Sequence, residues 1–245
     1  MATNYDDIAN TYHTVKLNPI KKYSEEYTVL QHLNNMQGLS ILDLACGDGY
    51  YTRLFGQAGA KEVIGVDLSP QMIERAHTLD ANSSLPVQYQ VGDVAQLDLG
   101  QTFDLVTAVY LLQYAATKTD LQKMFESVYR HLGANGRFFT VTGNPNLTPA
   151  HIAAQQAYGV DISINGDWTD GATIHNVIHT PDGSVEFDNY HWTQQTYEQL
   201  LQQIGFRQIQ WHTMQIDPVG LERYGAEFWQ PYQNYPAIVL LECRC

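Results

Sequence analysis

The chain has 245 residues, 44% hydrophobic and 16% charged, enough for one well-buried domain with added elements or two small domains. Its net charge is −13, and no Lys or Arg falls between Arg137 and Arg207; a surface of that sign repels phosphate backbones, which argues against nucleic acid as a partner. No apolar run approaches 18 residues, "MATNYDDIAN" is too polar and acidic for a secretory signal, and Cys46, Cys243 and Cys245 make no disulfide framework. A cytoplasmic protein without membrane contact is expected.

Five β-branched apolar runs come first in chain order: 40–45, 62–67, 87–91, 103–109 and 136–142. Amphipathic stretches at 50–58, 70–79 and 120–132 alternate with them, and this alternation predicts a doubly wound parallel sheet. Ser69-Pro70 reads as a helix start and Gly133 as a helix stop. After residue 142 the pattern changes. The stretch 171–192 predicts a β-hairpin around Pro181-Asp182-Gly183, followed by a helix over 193–206 and a strand over 207–216. An aromatic excursion at 217–236 precedes a last strand at 237–243, bringing the expected sheet to seven strands. The fold class is α/β, with a hairpin-containing insertion after the fifth strand.

The stretch "ILDLACGDGYYTRLF", Ile41 to Phe55, places Gly47 and Gly49 directly after the first strand. Such a loop lies at the carboxyl end of the sheet, where open α/β folds bind ligands, and its glycines let backbone approach a ligand closely. Thr52 stands where a dinucleotide fingerprint has its third glycine. Asp67 ends the second strand, where a carboxylate can accept from two ribose hydroxyls, and Asp93 follows the third, within reach of an adenine amine. Asp43 disfavours a pyrophosphate, and no cation lies within the loop. These features predict an adenosine compound without phosphates.

The series "LDLACGDGYYTRLF…EVIGVDLSPQMIERA…VGDVAQL…FDLVTAVYLLQYA…LGANGRFF" resembles the motifs of class I S-adenosylmethionine-dependent methyltransferases, a Rossmann-like family, over about residues 38–142. More closely, "YDDIANTY" and "AVYLLQYA" resemble small bacterial natural-product methyltransferases of the toxoflavin-biosynthesis type. The resemblance implies S-adenosyl-L-methionine as cofactor and S-adenosyl-L-homocysteine as product. It implies Asp43, Ala45, Gly47 and Gly49 beside the methionine portion and Asp67 on the ribose. Leu68 and Met72 would lie near the adenosine, Asp93 and Val94 at the adenine, and Val109 and Tyr110 at the amino-acid end. It also implies an N-terminal lid over 1–37, with Tyr5 and Tyr12 closing on the cofactor. The chain then divides into a cofactor core (38–142), a substrate-covering insertion (143–192) and a C-terminal part of the core (193–245), all one domain. Met72, Tyr5 and Tyr12 each have a plain packing alternative.

Methyl transfer needs alignment and exclusion of water rather than a metal. No metal site is expected: His175 and His179 are four apart beside a turn and lack a third ligand. Tyr110-Leu111-Leu112-Gln113 differs from the Asn/Asp-Pro-Pro-Tyr motif of exocyclic-amine methyltransferases, which favours a small-molecule acceptor. Tyr158, Trp168, Phe187, Tyr190, His191 and Trp192 from the first insertion, and Tyr224, Phe228, Trp229, Tyr232 and Tyr235 from the second, are expected to build its pocket. Six acidic residues and no basic one between 143 and 192 suggest a cationic acceptor. His191, Tyr190 and His13 are the base candidates. The leading expectation is N-methylation of a small amine, guanidine or N-heterocycle in specialised metabolism. O-methylation, a nicotinamide-dependent oxidoreductase and a cofactor-binding protein without methyl transfer are the alternatives.

Overall fold

The computed structural model describes residues 18–33, 35–164, 166–180 and 183–245. Tyr5, Tyr12 and His13 lie outside the described residues.

Asn18 opens the described chain by accepting from the Ile20 amide (2.8 Å). A π-helical turn, Lys21–Glu25, runs straight into α1 (Glu26–His32). The first half of the sheet then follows as β1 (Ser40–Leu44), α2 (Tyr50–Gln57), β2 (Glu62–Asp67), α3 (Pro70–Asp80) and β3 (Val87–Val91). Ser69 caps α3 from outside, its hydroxyl accepting from the Met72 amide (3.1 Å) with Pro70 at the first helical position. Next come β4 (Phe103–Val109), α4 (Lys118–Arg130) and β5 (Leu132–Gly143), with α4 opened by a Thr117–Asp120 capping box.

Gly133 does not stop a helix. α4 ends at Arg130, and Leu132 already pairs with Phe103 in the sheet. The register then jumps to Leu105–Arg137, so residues 133–136 form an irregularity inside β5.

The insertion is more ordered than a hairpin. Thr148 and Pro149 start α5 (Pro149–Gln155), and β6 (Val160–Ile164), β7 (Thr173–Thr180) and β8 (Gly183–Tyr190) form an antiparallel sheet in the order β6-β7-β8. β6 was not foreseen, because "VDISI" alternates over only five residues. The remaining elements are α6 (Gln194–Ile204), β9 (Arg207–Thr213), α7 (Pro218–Tyr224), α8 (Ala226–Asn234) and β10 (Ile238–Arg244). β9 stops short of residue 216 because the chain leaves the sheet to dock on the N-terminal helix. There the Gln215 amide donates to Thr28 Oγ1 (2.8 Å) and the Asp217 amide to the Tyr23 carbonyl (2.7 Å).

The main sheet has seven strands in the order β3-β2-β1-β4-β5-β10-β9, with β10 antiparallel to both its neighbours. This is the expected Rossmann-like α/β sheet with an inserted sheet after the fifth strand. One apolar layer packs α4 and α6 on one face of the main sheet, around Phe125, Phe138, Tyr197 and Leu201. The other packs the N-terminal helix, α2 and α8 on the opposite face, around Val29, Phe55, Phe139 and Trp229. No described helix is long and apolar enough to cross a membrane.

Candidate functional site

The strand order reverses between β1 and β4, and a cavity of about 260 Å³ opens near the carboxyl ends of these strands. Asp43, Ala45, Gly47 and Asp48 line it from the glycine loop, and Val109 and Tyr110 from the end of β4. Lys21 and Glu25 close one side. The inserted sheet forms the opposite wall with Val160, Ile162, Ile174, Ile178 and Phe187, leading to Tyr190 and His191.

The loop backbone is held open by three residues in left-handed conformations at the cavity: Ala45 (φ 55°), Gly47 (φ 56°) and Tyr110 (φ 63°). A bulky Tyr at positive φ is strained, and strain of this kind gathers at ligand sites. A Cβ on Gly47 would meet nothing within 4 Å, so the inner rim offers bare backbone to the cavity. Gly49 is glycine for a different reason. A Cβ there would lie 2.6 Å from the Tyr89 ring, on the packed side of the turn.

Thr52, which breaks the dinucleotide fingerprint, supports a buried carboxylate. Asp43 is 1% exposed; its oxygens accept from Thr52 Oγ1 (2.6 Å) and Thr107 Oγ1 (2.8 Å). Burial pushes its pKa from the ordinary 3.8 up to about 6, against the pull of the two hydroxyls. Asp67 Oδ2 accepts from the Gly47 amide (2.8 Å), and its Oδ1 accepts from the Ser69 amide (2.9 Å). The second strand's carboxylate therefore holds the rim of the glycine loop.

A polar cluster that sequence reading missed lies where the N-terminal helix crosses the loop. Glu25, 1% exposed, pairs with Lys21 and accepts from the hydroxyls of Tyr51 (2.7 Å) and Tyr110. Lys21 Nζ lies 4.4 Å from the centre of the Tyr51 ring and is the only Lys or Arg lining the cavity among the described residues. Its available sequence signal was the i,i+4 spacing of Lys21 and Glu25 ahead of the Tyr50-Tyr51 pair.

Of the proposed cofactor residues, Asp43, Ala45, Gly47, Val109 and Tyr110 come together at the cavity, whereas Gly49, Asp67, Leu68, Met72, Asp93 and Val94 lie outside its lining. Leu68, beside Asp67, is 70% exposed; Met72 and Val94 are buried. Asp93 accepts from the Ala95 amide (2.9 Å) and Gln96 Nε2 (2.7 Å).

On the acceptor wall, His191 is buried, with the Trp168 ring edge-on at 5.4 Å, and burial lowers its pKa below 6.5 despite Asp170 nearby. Phe187, Tyr190, Trp192 and Tyr232 also line the cavity. Tyr158, Trp168, Tyr224, Phe228, Trp229 and Tyr235 do not. Four of these pack with one another or the backbone: Tyr158 Oη donates to the Phe228 carbonyl (2.6 Å), Trp229 Nε1 donates to the Gly220 carbonyl (2.9 Å), and Tyr224 stacks on Phe228. The insertion's described carboxylates, Asp161, Asp167, Asp170, Glu186 and Asp188, also lie outside the lining. Asp161 and Asp188 are each 2.8 Å from a ring nitrogen, of His179 and His175 respectively, so that histidine pair is engaged in surface hydrogen bonds. The acids that do line the cavity are Glu25, Asp43 and Asp48. Two carboxamides interrupt the apolar wall, Asn176 and Asn189, and Asn189 Oδ1 is buried without a protein partner among the described residues.

The sheet order is that of the Rossmann-like methyltransferase fold, and the likeness to S-adenosylmethionine-dependent methyltransferases is carried by the first five strands. Residues 41–136 match the family described as "Methyltransferase domain". A dTDP-4-amino-2,3,4,6-tetradeoxy-D-glucose N,N-dimethyltransferase of Saccharopolyspora spinosa is 25% identical over 220 residues, 83% of this chain and 86% of that one. A ubiquinone biosynthesis O-methyltransferase of Xanthomonas oryzae pv. oryzae is 31% identical over 121 residues, and there the chain spans about half of its relative's length (48%). An S-adenosylmethionine-dependent methyltransferase structure from Mesorhizobium loti superposes with a TM-score of 0.64 at 24% identity, covering 90% of this chain and 97% of that one. The cofactor of such a domain is S-adenosyl-L-methionine, which leaves as S-adenosyl-L-homocysteine. The open Gly47 rim, the small Ala45 and the ring of acceptor oxygens suit its cationic methionine end.

Proposed function

We propose that this protein transfers a methyl group from S-adenosyl-L-methionine to a nitrogen of a small molecule, an amine, guanidine or N-heterocycle, in specialised metabolism. The observation that carries this reading is a single cavity bounded by the glycine loop on one side and by the apolar inserted sheet, with His191, on the other. When bound, the cofactor supplies an electrophilic methyl on a sulfonium centre. Gly47 backbone, Asp43 and the Glu25–Lys21 cluster hold its amino-acid end, with Ala45, Gly49, Val109 and Tyr110 shaping that end. Asp67 takes the ribose, Leu68 and Met72 flank the adenosine, and Asp93 and Val94 take the adenine. The inserted sheet excludes water, and Asn189 Oδ1 accepts from an N–H of the acceptor and orients it. His191, held neutral by burial, takes the proton that the acceptor nitrogen must lose; Tyr190 stands beside it as the second candidate.

The S. spinosa relative supports nitrogen, because it aligns along most of both chains and is described as an N,N-dimethyltransferase. The O-methyltransferase relatives align over about half the chain, and oxygen is kept as the second reading on their account. The finer likeness to toxoflavin-type enzymes rests on two short stretches, one of them outside the described residues. Transfer of labelled methyl from S-adenosylmethionine to a panel of amines, guanidines, heterocycles, phenols and carboxylates tests the proposal. Label on nitrogen is expected. Label confined to oxygen overturns the acceptor assignment, and cofactor binding without any transfer, on an exhaustive panel, overturns the activity.

A further inference from the structure

Far from the cavity, His32 at the end of α1, His212 on β9 and Glu242 on β10 bring one ligand atom each to within 4.8 Å of one another. We propose that these three residues bind a divalent transition metal of the zinc class, which fastens the N-terminal helix to the sheet.

The register explains the placement. Leu240 pairs with His212 and Glu242 with Gln210, so His212 and Glu242 are diagonal neighbours on one sheet face, and His32 covers them from the helix. The two imidazoles lie 4.4 Å apart, centre to centre. His212 Nε2 is buried and has no hydrogen-bond partner among the described residues. A buried polar nitrogen without a partner is costly in a packed interior, and a metal satisfies it. Two imidazole nitrogens and one carboxylate oxygen form a common donor set for zinc, with a fourth position left for water. Metal–ligand bonds of ~2.1 Å set ligand atoms about 3.4 Å apart in a tetrahedron, which rotation of the partly buried side chains can reach.

Arg137 is the charged group facing the cluster. Its Nη1 lies 3.5 Å from Glu242 Oε1 and 3.4 Å from the His32 carbonyl, to which it donates. It engages one carboxylate oxygen and orients the other, a role outer residues often play at metal sites. Glu242 stands four steps along β10 from the cavity residue Ile238, about 13 Å of strand. The metal therefore lies outside the cavity. Its link to function runs through the helix, because the Lys21–Glu25 turn that lines the cavity is continuous with the element ending at His32.

The test uses full-length, untagged protein stripped with chelator and dialysed against micromolar Zn²⁺, with bound metal counted by mass spectrometry and Tm read by calorimetry. Co²⁺ is the spectroscopic probe of the same site. One equivalent of Zn²⁺, a higher Tm and the visible absorption of tetrahedral Co²⁺ are expected. His32→Ala and Glu242→Gln should each weaken binding at least tenfold, whereas Cys245→Ser and His175→Ala should leave it unchanged. Circular dichroism of each metal-free variant, with His32→Ala lying on the helix and Glu242→Gln within the sheet, separates lost binding from lost fold. No stoichiometric metal in the parent protein, or binding that survives His32→Ala or disappears with Cys245→Ser, overturns the proposal.

Discussion

Asp43→Asn should stabilise the cofactor-free protein and weaken cofactor binding at the same time. The carboxyl is 1% exposed, accepts from Thr52 and Thr107, and has its pKa raised by burial from 3.8 to about 6. A carboxyl whose folded pKa is raised binds its proton more tightly in the folded state. Its contribution is most favourable below pH 3.8 and is lost as pH rises through 6. At pH 8 the ionised group then costs about 3 kcal/mol, at 1.36 kcal/mol per pH unit between the two values. Asn keeps the shape, and the two hydroxyls can turn to accept from its amide, so that cost disappears. Urea titrations of the cofactor-free proteins should show the variant about 3 kcal/mol more stable at pH 8, with the advantage roughly halved at pH 5. Calorimetric titration should show weaker S-adenosylmethionine binding. A variant less stable than its parent at pH 8, or a difference that does not change with pH, refutes the reasoning.

Thr52→Val removes a donor to the same carboxyl and should cost about 1–3 kcal/mol of stability, while Thr52→Ser restores it; denaturant midpoints at pH 8 check both. Asp67→Ala frees the Gly47 amide and should weaken cofactor affinity by about 1–3 kcal/mol; unchanged affinity in a folded variant removes Asp67 from the site. His191→Ala should leave cofactor affinity intact and lower turnover. Because the basic form of His191 is populated above a pKa that burial depresses below 6.5, the wild-type rate should be flat above pH 7 and fall in acid. An inflection above pH 7 assigns the proton to another group.

The parallel half of the sheet was legible because its signals are local. Each buried strand is a β-branched run, and α3 announces itself through Ser69 and Pro70. Boundaries failed where tertiary contacts decide them: Gly133 sits in a strand because Leu132 pairs with Phe103, and β9 ends early because Thr28 and Tyr23 capture the next residues. Gly47, which lines the cavity, and Asp67, which does not, were both singled out from spacing, but the hydrogen bond between them could not be. The acidic insertion misled for a physical reason. Period-2 alternation sends one side of each strand to the cavity and the other to solvent, and the apolar side is the one turned inward. Glu25 was invisible because its three partners come from the N-terminal turn, the loop helix and the end of β4.

The wall opposite the glycine loop is a module of its own in the chain. Its strands belong to one unbroken stretch of sequence, beginning after β5 and ending before α6. Residues 41–136, which match the shared domain, end before that stretch begins. One cavity is therefore assembled from two separable parts of the chain: its loop side falls within the matched residues, and its sheet side comes from a stretch that lies wholly beyond them.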